Sequence, residues 1–387
     1  MPPPRDKPLR LLIVCPSWVG DVVMATPALR LIRKSLPGCF IGLLVRPGLD
    51  EILAGLDVCD EMHVARSQGV MGPKFIAAKL RPRQYDTTLL LTNSFSTALI
   101  ARIAGIPKRI GYDRDARGLL LTHRLAPPLR QSGEYAVVPA VEYYLRAAAE
   151  GLLNMPLPRW QDGQLPLELA VTDAEHTAAC RVLEKAGVDP QAPRAILNPG
   201  GNNAAKRWPV DRFAQLAHHL VQSQGLTVLL NGSPGEVELL ESIRLAVPEE
   251  SRGRVASLAS AGITLGSLKG VVRGSRLMVT NDTGPRHIAA ALSVPLVSLF
   301  GPTDHRWTLI PTRSGSPEFI LLADPTLPES EVSNDHPERC SIDRIPLSDV
   351  LDAVDRQLAG SGGPVTARAD CRTGRSGHPS AEPRPSA

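Results

Sequence analysis

Short apolar runs alternate with stretches of helical periodicity along most of this chain. The segment "RLLIVCP" (10–16) is an unbroken run of Leu, Ile and Val, the pattern of a strand covered on both faces. Behind it, "GDVVMATPALRLIRKSLPG" (20–38) carries Val22, Val23, Ala25, Ala28, Leu29 and Ile32 at near-helical spacing, and Gly38 closes it. The same reading gives a strand at 39–47, a helix at 49–56 and strands at 61–65 and 85–93. A helix at 94–107 opens on Ser94 as N-cap and stops at Gly105–Pro107. "RIGYDRD" then reads as a short strand, "LLLTHRL" as an irregular segment, and 135–153 as the helix that ends this half.

Residues 154–193 are rich in Pro, Asp and Gln but hold a capped helix at 172–187. Beyond them the alternation restarts. Strands are expected in "RAILNPG", "LTVLLNGSPGE", "RVASLAS", "RLMVTND" and "PLVSLFGP", with helices between; the helix at 210–225 gathers Phe213, Leu216, Ala217, Leu220 and Val221 on one face. Strand–helix alternation of this kind predicts the α/β class, with parallel sheets and right-handed crossovers. Two such runs predict two doubly wound domains facing each other across a cleft, with the change of domain near 165–190. The expected division is 1–175 and 176–345, then an amphipathic helix at 346–360 and a disordered, apolar-poor tail at 361–387.

Composition narrows the function classes. At 387 residues, two domains are the natural expectation, and 43% hydrophobic residues suffice for two cores. The net charge of +4 is ordinary, and the tail supplies part of it through Arg368, Arg372, Arg375 and Arg384 against Asp370 and Glu382. A nucleic-acid binder would carry a concentrated basic stripe, so that class is disfavoured. The six cysteines are scattered without a CxxC pair, which points to free thiols in a reducing compartment. The apolar stretch Leu11–Cys15 is shorter than the about 7–15 residues of a signal peptide core, and no run approaches a spanning helix. A cytoplasmic location is expected.

Unusual residues cluster where strands give way to helices, the places where open α/β sheets bind ligands. In "PSWVGD" (16–21), Gly20 allows a tight turn and Asp21 stands at a helix start. Asp21 is either a plain N-cap or a carboxylate facing the cleft, able to take a proton from a hydroxyl. The dinucleotide fingerprint G-x-G-x-x-G is absent from this turn, which counts against an NAD or FAD enzyme. In "NPGGNNAAKRWP" (198–209), backbone N–H groups and Lys206 suit an anionic oxygen, a diphosphate above all; the plain alternative is a surface loop with an incidental basic pair. In "TNDTGPRHIAAAL" (280–292), Asp282 and Thr283 end a strand and Gly284 lets backbone approach closely. The following helix aims its N–H groups at the same point, where phosphate is favoured, and His287 one turn in either adds a donor there or is simply a packed or solvated helix residue. "FGPTD" (300–304) repeats the theme.

The ordered set "PSWVGD" with "MATPALR", "NPG…AKRWP", "NGSPGE", "TNDTGPRHIAAAL" and "LFGPTD" resembles glycosyltransferase family 9, the ADP-heptose:lipopolysaccharide heptosyltransferases, and most closely the heptosyltransferase II type. The resemblance implies two Rossmann-like domains in the GT-B arrangement, with the acceptor on the N-terminal domain, the sugar nucleotide on the C-terminal domain, and a last helix (346–360) crossing back to the first. It implies Asp21 as catalytic base and Lys206 as the contact to donor phosphate. It implies Asp282, Thr283, Gly284 and His287 as the donor-binding motif, Glu236 as holder of nucleotide hydroxyls and Ile263 beside the adenine. Gly201 and Asn202 fall where the family often has hydroxyl residues, so their donor contacts would come from backbone or amide.

The implied reaction is an inverting, metal-independent transfer of heptose from ADP-heptose, with no cofactor, to a lipid-linked lipopolysaccharide inner-core acceptor. "DRD" (113–115) reads as a loop rather than a metal site. Peripheral docking at the inner membrane face would use basic residues such as Lys74, Lys79, Arg81 and Arg83, unless these form a solvated helix face. Other GT-B enzymes, such as a different inverting transferase or a non-hydrolysing epimerase, and a non-catalytic sugar-nucleotide-binding protein share these features.

Overall fold

The structure is a computed structural model that describes residues 8–130, 133–201, 203–311 and 318–360; Asn202 and the 361–387 tail lie outside the described residues. The first sheet comprises β1 (Arg10–Val14), β2 (Phe40–Val45), β3 (Glu61–Val64), β4 (Thr87–Leu90), β5 (Lys108–Tyr112) and β6 (His123–Leu125). With it go α1 (Val19–Met24), α2 (Thr26–Ser35), α3 (Leu49–Leu53), α4 (Gly72–Leu80), α5 (Phe95–Ile103) and α6 (Ala140–Arg146). The second sheet comprises β7 (Arg194–Asn198), β8 (Thr227–Leu230), β9 (Val255–Ser257), β10 (Leu277–Asn281), β11 (Leu296–Phe300) and β12 (Glu318–Leu322). Its helices are α7 (Asp173–Lys185), α8 (Val210–Gln222), α9 (Val237–Ala246), α10 (Glu249–Arg252), α11 (Leu265–Arg273), α12 (Gly284–Ala291) and α13 (Leu347–Gly360).

Strand order is β3-β2-β1-β4-β5-β6 in one sheet and β12-β11-β10-β7-β8-β9 in the other, and every pairing is parallel. Read from opposite edges, the two orders are the same doubly wound pattern, so each sheet has one switch point, β1/β4 and β7/β10. The strands read as continuous apolar runs because helices cover both faces; Leu11, Leu12, Ile13, Val228, Leu229 and Leu230 are fully buried.

The expected helix 20–38 is two helices. Pro27 has no N–H to offer the Val23 carbonyl, and the Thr26 hydroxyl donates to it instead at 2.7 Å. The segment read as irregular at 119–125 contains β6, and β12 joins the second sheet beyond the last strand expected; both runs are short and flanked by turn-forming residues. The helix expected at 135–153 begins only after Pro139 and widens into π-type turns over Ala147–Leu153.

The expectation that the last helix crosses back to the first domain is not met. α13 buries Val350, Ala353, Val354 and Leu358 in the core of the second sheet, against α8 and β10–β12. The Trp208 indole N–H donates to the Ile345 carbonyl at 3.0 Å just ahead of it, and His219 Nε2 meets Asp355 at 2.8 Å. Cys15, Cys39, Cys59 and Cys340 are free thiols. Among the described residues no helix is long and apolar enough to cross a membrane.

The two sheets share a hydrophobic cluster in which Leu11, Ile13 and Leu43 of the first connect, through α1, α7, α11 and α12, with Ile196, Leu229 and Met278 of the second. Polar contacts cross the same boundary. The Gly266 amide, in the first turn of α11, donates to Glu51 Oε2 of α3 at 2.6 Å. The fully buried Lys269 pairs with Glu175 at 2.9 Å and donates to the Ala54 carbonyl at 3.2 Å.

On the far side of α12, Arg286 is fully buried and makes paired bonds of 2.6 and 2.9 Å to Glu318 at the start of β12. It also donates to the Thr308 carbonyl at 2.8 Å. Glu318→Gln would leave the guanidinium charge uncompensated in the interior, so it is expected to cost about 3–5 kcal/mol of unfolding free energy in urea titration.

Candidate active site

Each switch point opens into a cavity. The first, roughly 660 Å³, lies beyond β1 and β4 and is lined by Ser17, Trp18, Asp21, Arg46, Arg66, Asn93 and Tyr144 among others. The second, roughly 600 Å³, lies beyond β7 and β10 and is lined by Gly200, Gly201, Lys206, Glu236, Ile263, Asp282, Thr283 and Gly284 among others. Trp18, largely exposed, belongs to both walls, so the cavities adjoin.

Asp21 is not an N-cap. Trp18 holds the N-cap position of α1 in extended backbone, and Asp21 lies in the first turn behind it. Its Oδ1 accepts a 2.8 Å hydrogen bond from the hydroxyl of Tyr144, on α6. Burial pushes the Asp21 carboxyl above the usual range and the nearby Asp282 charge adds to this, while the Tyr144 bond works against it. Burial and the Asp21 charge also raise the Tyr144 phenol, keeping it a donor. Tyr144 stands on a tyrosine array: Tyr143 lies edge-on to it and stacks on Tyr112 at 4.0 Å, and the Tyr143 hydroxyl reaches Asn93 at 3.0 Å.

The second cavity is built on polar strand ends. Asn231 donates to Asn198 Oδ1 at 2.6 Å, Asn198 donates to Thr283 Oγ1 at 2.8 Å, and Asn281 donates to the Pro199 carbonyl at 2.7 Å. This buried lattice fixes the turn after β10 from below. Thr283 is the N-cap residue of α12, but its hydroxyl is taken by Asn198 instead of capping the helix. Lys206 reaches Asp282 at 3.2 Å, its ammonium partly exposed to the cavity while Asp282 is nearly covered. An ammonium facing the N-terminus of a helix concentrates positive potential, the arrangement that receives phosphate.

Glu236 braces this floor. Its Oε1 accepts from the Gly201 amide at 2.9 Å, and its Oε2 accepts from the Ser233 amide at 2.7 Å and hydroxyl at 2.8 Å. Burial alone would raise its carboxyl, but these bonds outweigh it and hold the group below the usual range. A Cβ on Gly200 would fall 2.1 Å from Glu236 Oε1, so a larger residue there would displace the Glu236 carboxylate. The Gly201 amide is therefore spent on Glu236, and its carbonyl on Arg207, with bonds of 2.9 and 2.7 Å. Ile263, with Leu265 and Leu268, supplies an apolar side to the cavity.

His287 departs from the expectation of a ligand donor. It does not line the cavity but is buried against α1, where a Cβ on Gly20 would come within 2.7 Å of its ring. Burial, with Arg286 adding to it, holds its imidazole well below the ordinary range, so it is neutral, and its Nδ1 has no hydrogen-bond partner among the described residues. The two glycines of the motifs also serve packing, Gly284 while lining the second cavity. Gly20 is helical, and a Cβ on Gly284 would meet the Val19 Cβ at 2.8 Å; they let α1 and α12 touch.

Of the residues expected from the sequence, Asp21, Gly201, Lys206, Glu236, Ile263, Asp282, Thr283 and Gly284 line one or other cavity. Sequence reading missed Tyr144, Trp18 and the asparagine lattice. The lattice did leave a signal: "AILN", "VLLN" and "MVTN" each end a buried apolar run on Asn.

The profile of glycosyltransferase family 9 (heptosyltransferase) matches residues 75–329. Lipooligosaccharide heptosyltransferase 2 of Haemophilus influenzae is 30% identical over 322 residues, covering 82% of this chain and 89% of that protein. Lipopolysaccharide heptosyltransferase 2 of Escherichia coli is 29% identical, covering 78% and 85%. The solved structure of E. coli ADP-heptose lps heptosyltransferase II superposes with a TM-score of 0.74 at 26% identity, covering 91% of this chain and 99% of that one. Two sheets of like winding, meeting at adjoining cavities with a carboxylate on one side and a cationic cradle on the other, are the GT-B arrangement, and this chain belongs to glycosyltransferase family 9.

Proposed function

We propose that this glycosyltransferase moves heptose from ADP-heptose to a lipid-linked inner-core saccharide of lipopolysaccharide, at the inner face of the cytoplasmic membrane. The observation that carries the reading is the position of Asp21. It lines the first cavity beside the Trp18 wall, near enough to the second for the Asp282 charge to act on it. The names of the relatives supply donor and acceptor.

In this reading ADP-heptose occupies the second cavity, its adenine along Ile263, its ribose hydroxyls toward Glu236 and its diphosphate at Lys206 and the α12 N-terminus. An acceptor hydroxyl in the first cavity attacks the anomeric carbon. Tyr144 holds Asp21 Oδ1, leaving Oδ2 to take the hydroxyl proton. The new glycosidic C–O bond forms as the bond to the diphosphate breaks, and attack from the opposite face inverts the anomeric configuration. The charge that grows on departing ADP is met by Lys206, for which Asp282 serves as an anchor until ligand arrives. Preorganised groups of this kind act mainly on the developing charge.

The direct test is ADP release from ADP-heptose in the presence of a heptose-bearing core oligosaccharide, against UDP- and GDP-sugars. Release that ignores the acceptor, or that prefers another nucleotide, would overturn the reading. Asp21→Asn is expected to keep its melting temperature and ADP affinity while kcat falls about 10²–10⁴-fold. Tyr144→Phe removes a bond that favours the charged carboxylate, so the acid limb of the kcat/KM profile is expected to move to higher pH. Lys206→Ala is expected to weaken ADP binding roughly tenfold to a hundredfold in calorimetry, as the loss of a charge-assisted bond would.

A further inference from the structure

Beside the first cavity the surface changes character. Val70 is 95% exposed, Phe75 65% and Met71 48%, all within one short stretch that leads into and along α4, and Phe95 at the start of α5 is 44% exposed. α4 packs on α5, and Ser96 donates to Ser67 at 3.3 Å between the two segments. These apolar side chains form an outward-facing rim. The neighbouring Arg66, Ser67, Gly69 and Ile76 line the cavity itself. From Met62 to Tyr85 the chain has no acidic residue, while Arg66, Lys74, Lys79, Arg81 and Arg83 fall in that stretch.

Apart from Arg66, which lines the cavity, the basic residues divide into two groups. Arg81 donates to the Ile103 carbonyl at 2.9 Å, and Arg83 pairs with Glu61 at 2.6 Å, so both are committed to the fold. Lys74 and Lys79 are exposed on α4 and have no ion-pair partner among the described residues. They flank Phe75 along the helix. Phe75 between two lysines, with Val70 and Met71 ahead of them in a stretch of chain without acidic residues, matches the boundary between acyl chains and anionic headgroups.

We infer that Val70, Met71 and Phe75, with Lys74 and Lys79, dock this chain on a bilayer surface bearing acidic phospholipid headgroups, with the first cavity opening beside the membrane. The inference rests on the proposed lipid-linked acceptor. It gives that acceptor a route by which its sugar enters the cavity past Gly69 and Arg66 while its lipid stays in the leaflet.

The test uses the full chain and two kinds of vesicle, phosphatidylethanolamine mixed with phosphatidylglycerol, and phosphatidylcholine alone. Wild-type protein is expected to sediment with the acidic vesicles at low salt and to be released by high salt. Val70→Ser with Phe75→Ser, and separately Lys74→Glu with Lys79→Glu, are each expected to reduce binding at least roughly tenfold at an unchanged melting temperature. Both double variants are expected to keep wild-type transfer to a deacylated, water-soluble acceptor and to lose transfer to acceptor embedded in acidic vesicles. Equal binding to both vesicle types, or wild-type binding by both variants, would overturn the docking surface. Failure of wild-type transfer to the soluble acceptor would instead strike the proposed reaction, because vesicle binding is read without turnover.

Discussion

The contact of α1 with α12 is the constraint on which the rest of the molecule depends. Gly20 leaves room for the His287 ring, and Gly284 leaves room for Val19, so two helices from two different sheets meet almost backbone to backbone. α1 carries Asp21 and α12 begins at the phosphate-receiving turn. A methyl group at either glycine would clash across this contact and force the helices that carry the carboxylate and the cationic cradle to shift. His287 serves this contact best when uncharged, and its burial ensures that it is. An imidazolium there would be an unpaired charge in the joint between the lobes.

The lobes are held by more than that joint. Their apolar cluster is continuous from the first sheet to the second, so the cleft is a pair of recesses at the edge of a shared core. α7 and α11 lie in the middle of that core, and Lys269 closes it with a charge satisfied from both sides, by Glu175 and by the Ala54 carbonyl. The same winding used twice places both recesses at the carboxyl ends of strands and turns them toward one another. A proton acceptor and a leaving-group cradle can then come from separate sheets without any long loop having to carry them.

Much of this was legible in the chain. Continuous Leu, Ile and Val runs marked the central strands, and breaks in polarity at their ends marked the cavities. The parts that escaped are those fixed by packing across long sequence distances. Tyr144 lies 123 residues from Asp21 and sits in a helix whose sequence reads as ordinary core. His287 was legible as a residue but not in its role, because nothing local reveals that Gly20 stands over its ring. Gly201 was read as an open amide, yet Glu236 from the next strand-end turn already occupies it. β6 and β12 were missed where runs of three and five residues are closed in by turn-formers, too short for periodicity to register. The path of α13 followed family resemblance, and the apolar face it turns to the second sheet decided otherwise.

The bond from Gly266 to Glu51 has a reach beyond its own length. α11 follows directly on Ile263, so the wall along which a purine would lie is tethered to a carboxylate of the opposite lobe. Swinging the lobes apart strips that amide of its acceptor, and reshaping the wall tugs on the lobe that presents the proton acceptor. Any difference in that bond between the filled and the empty recess would act equally in both directions.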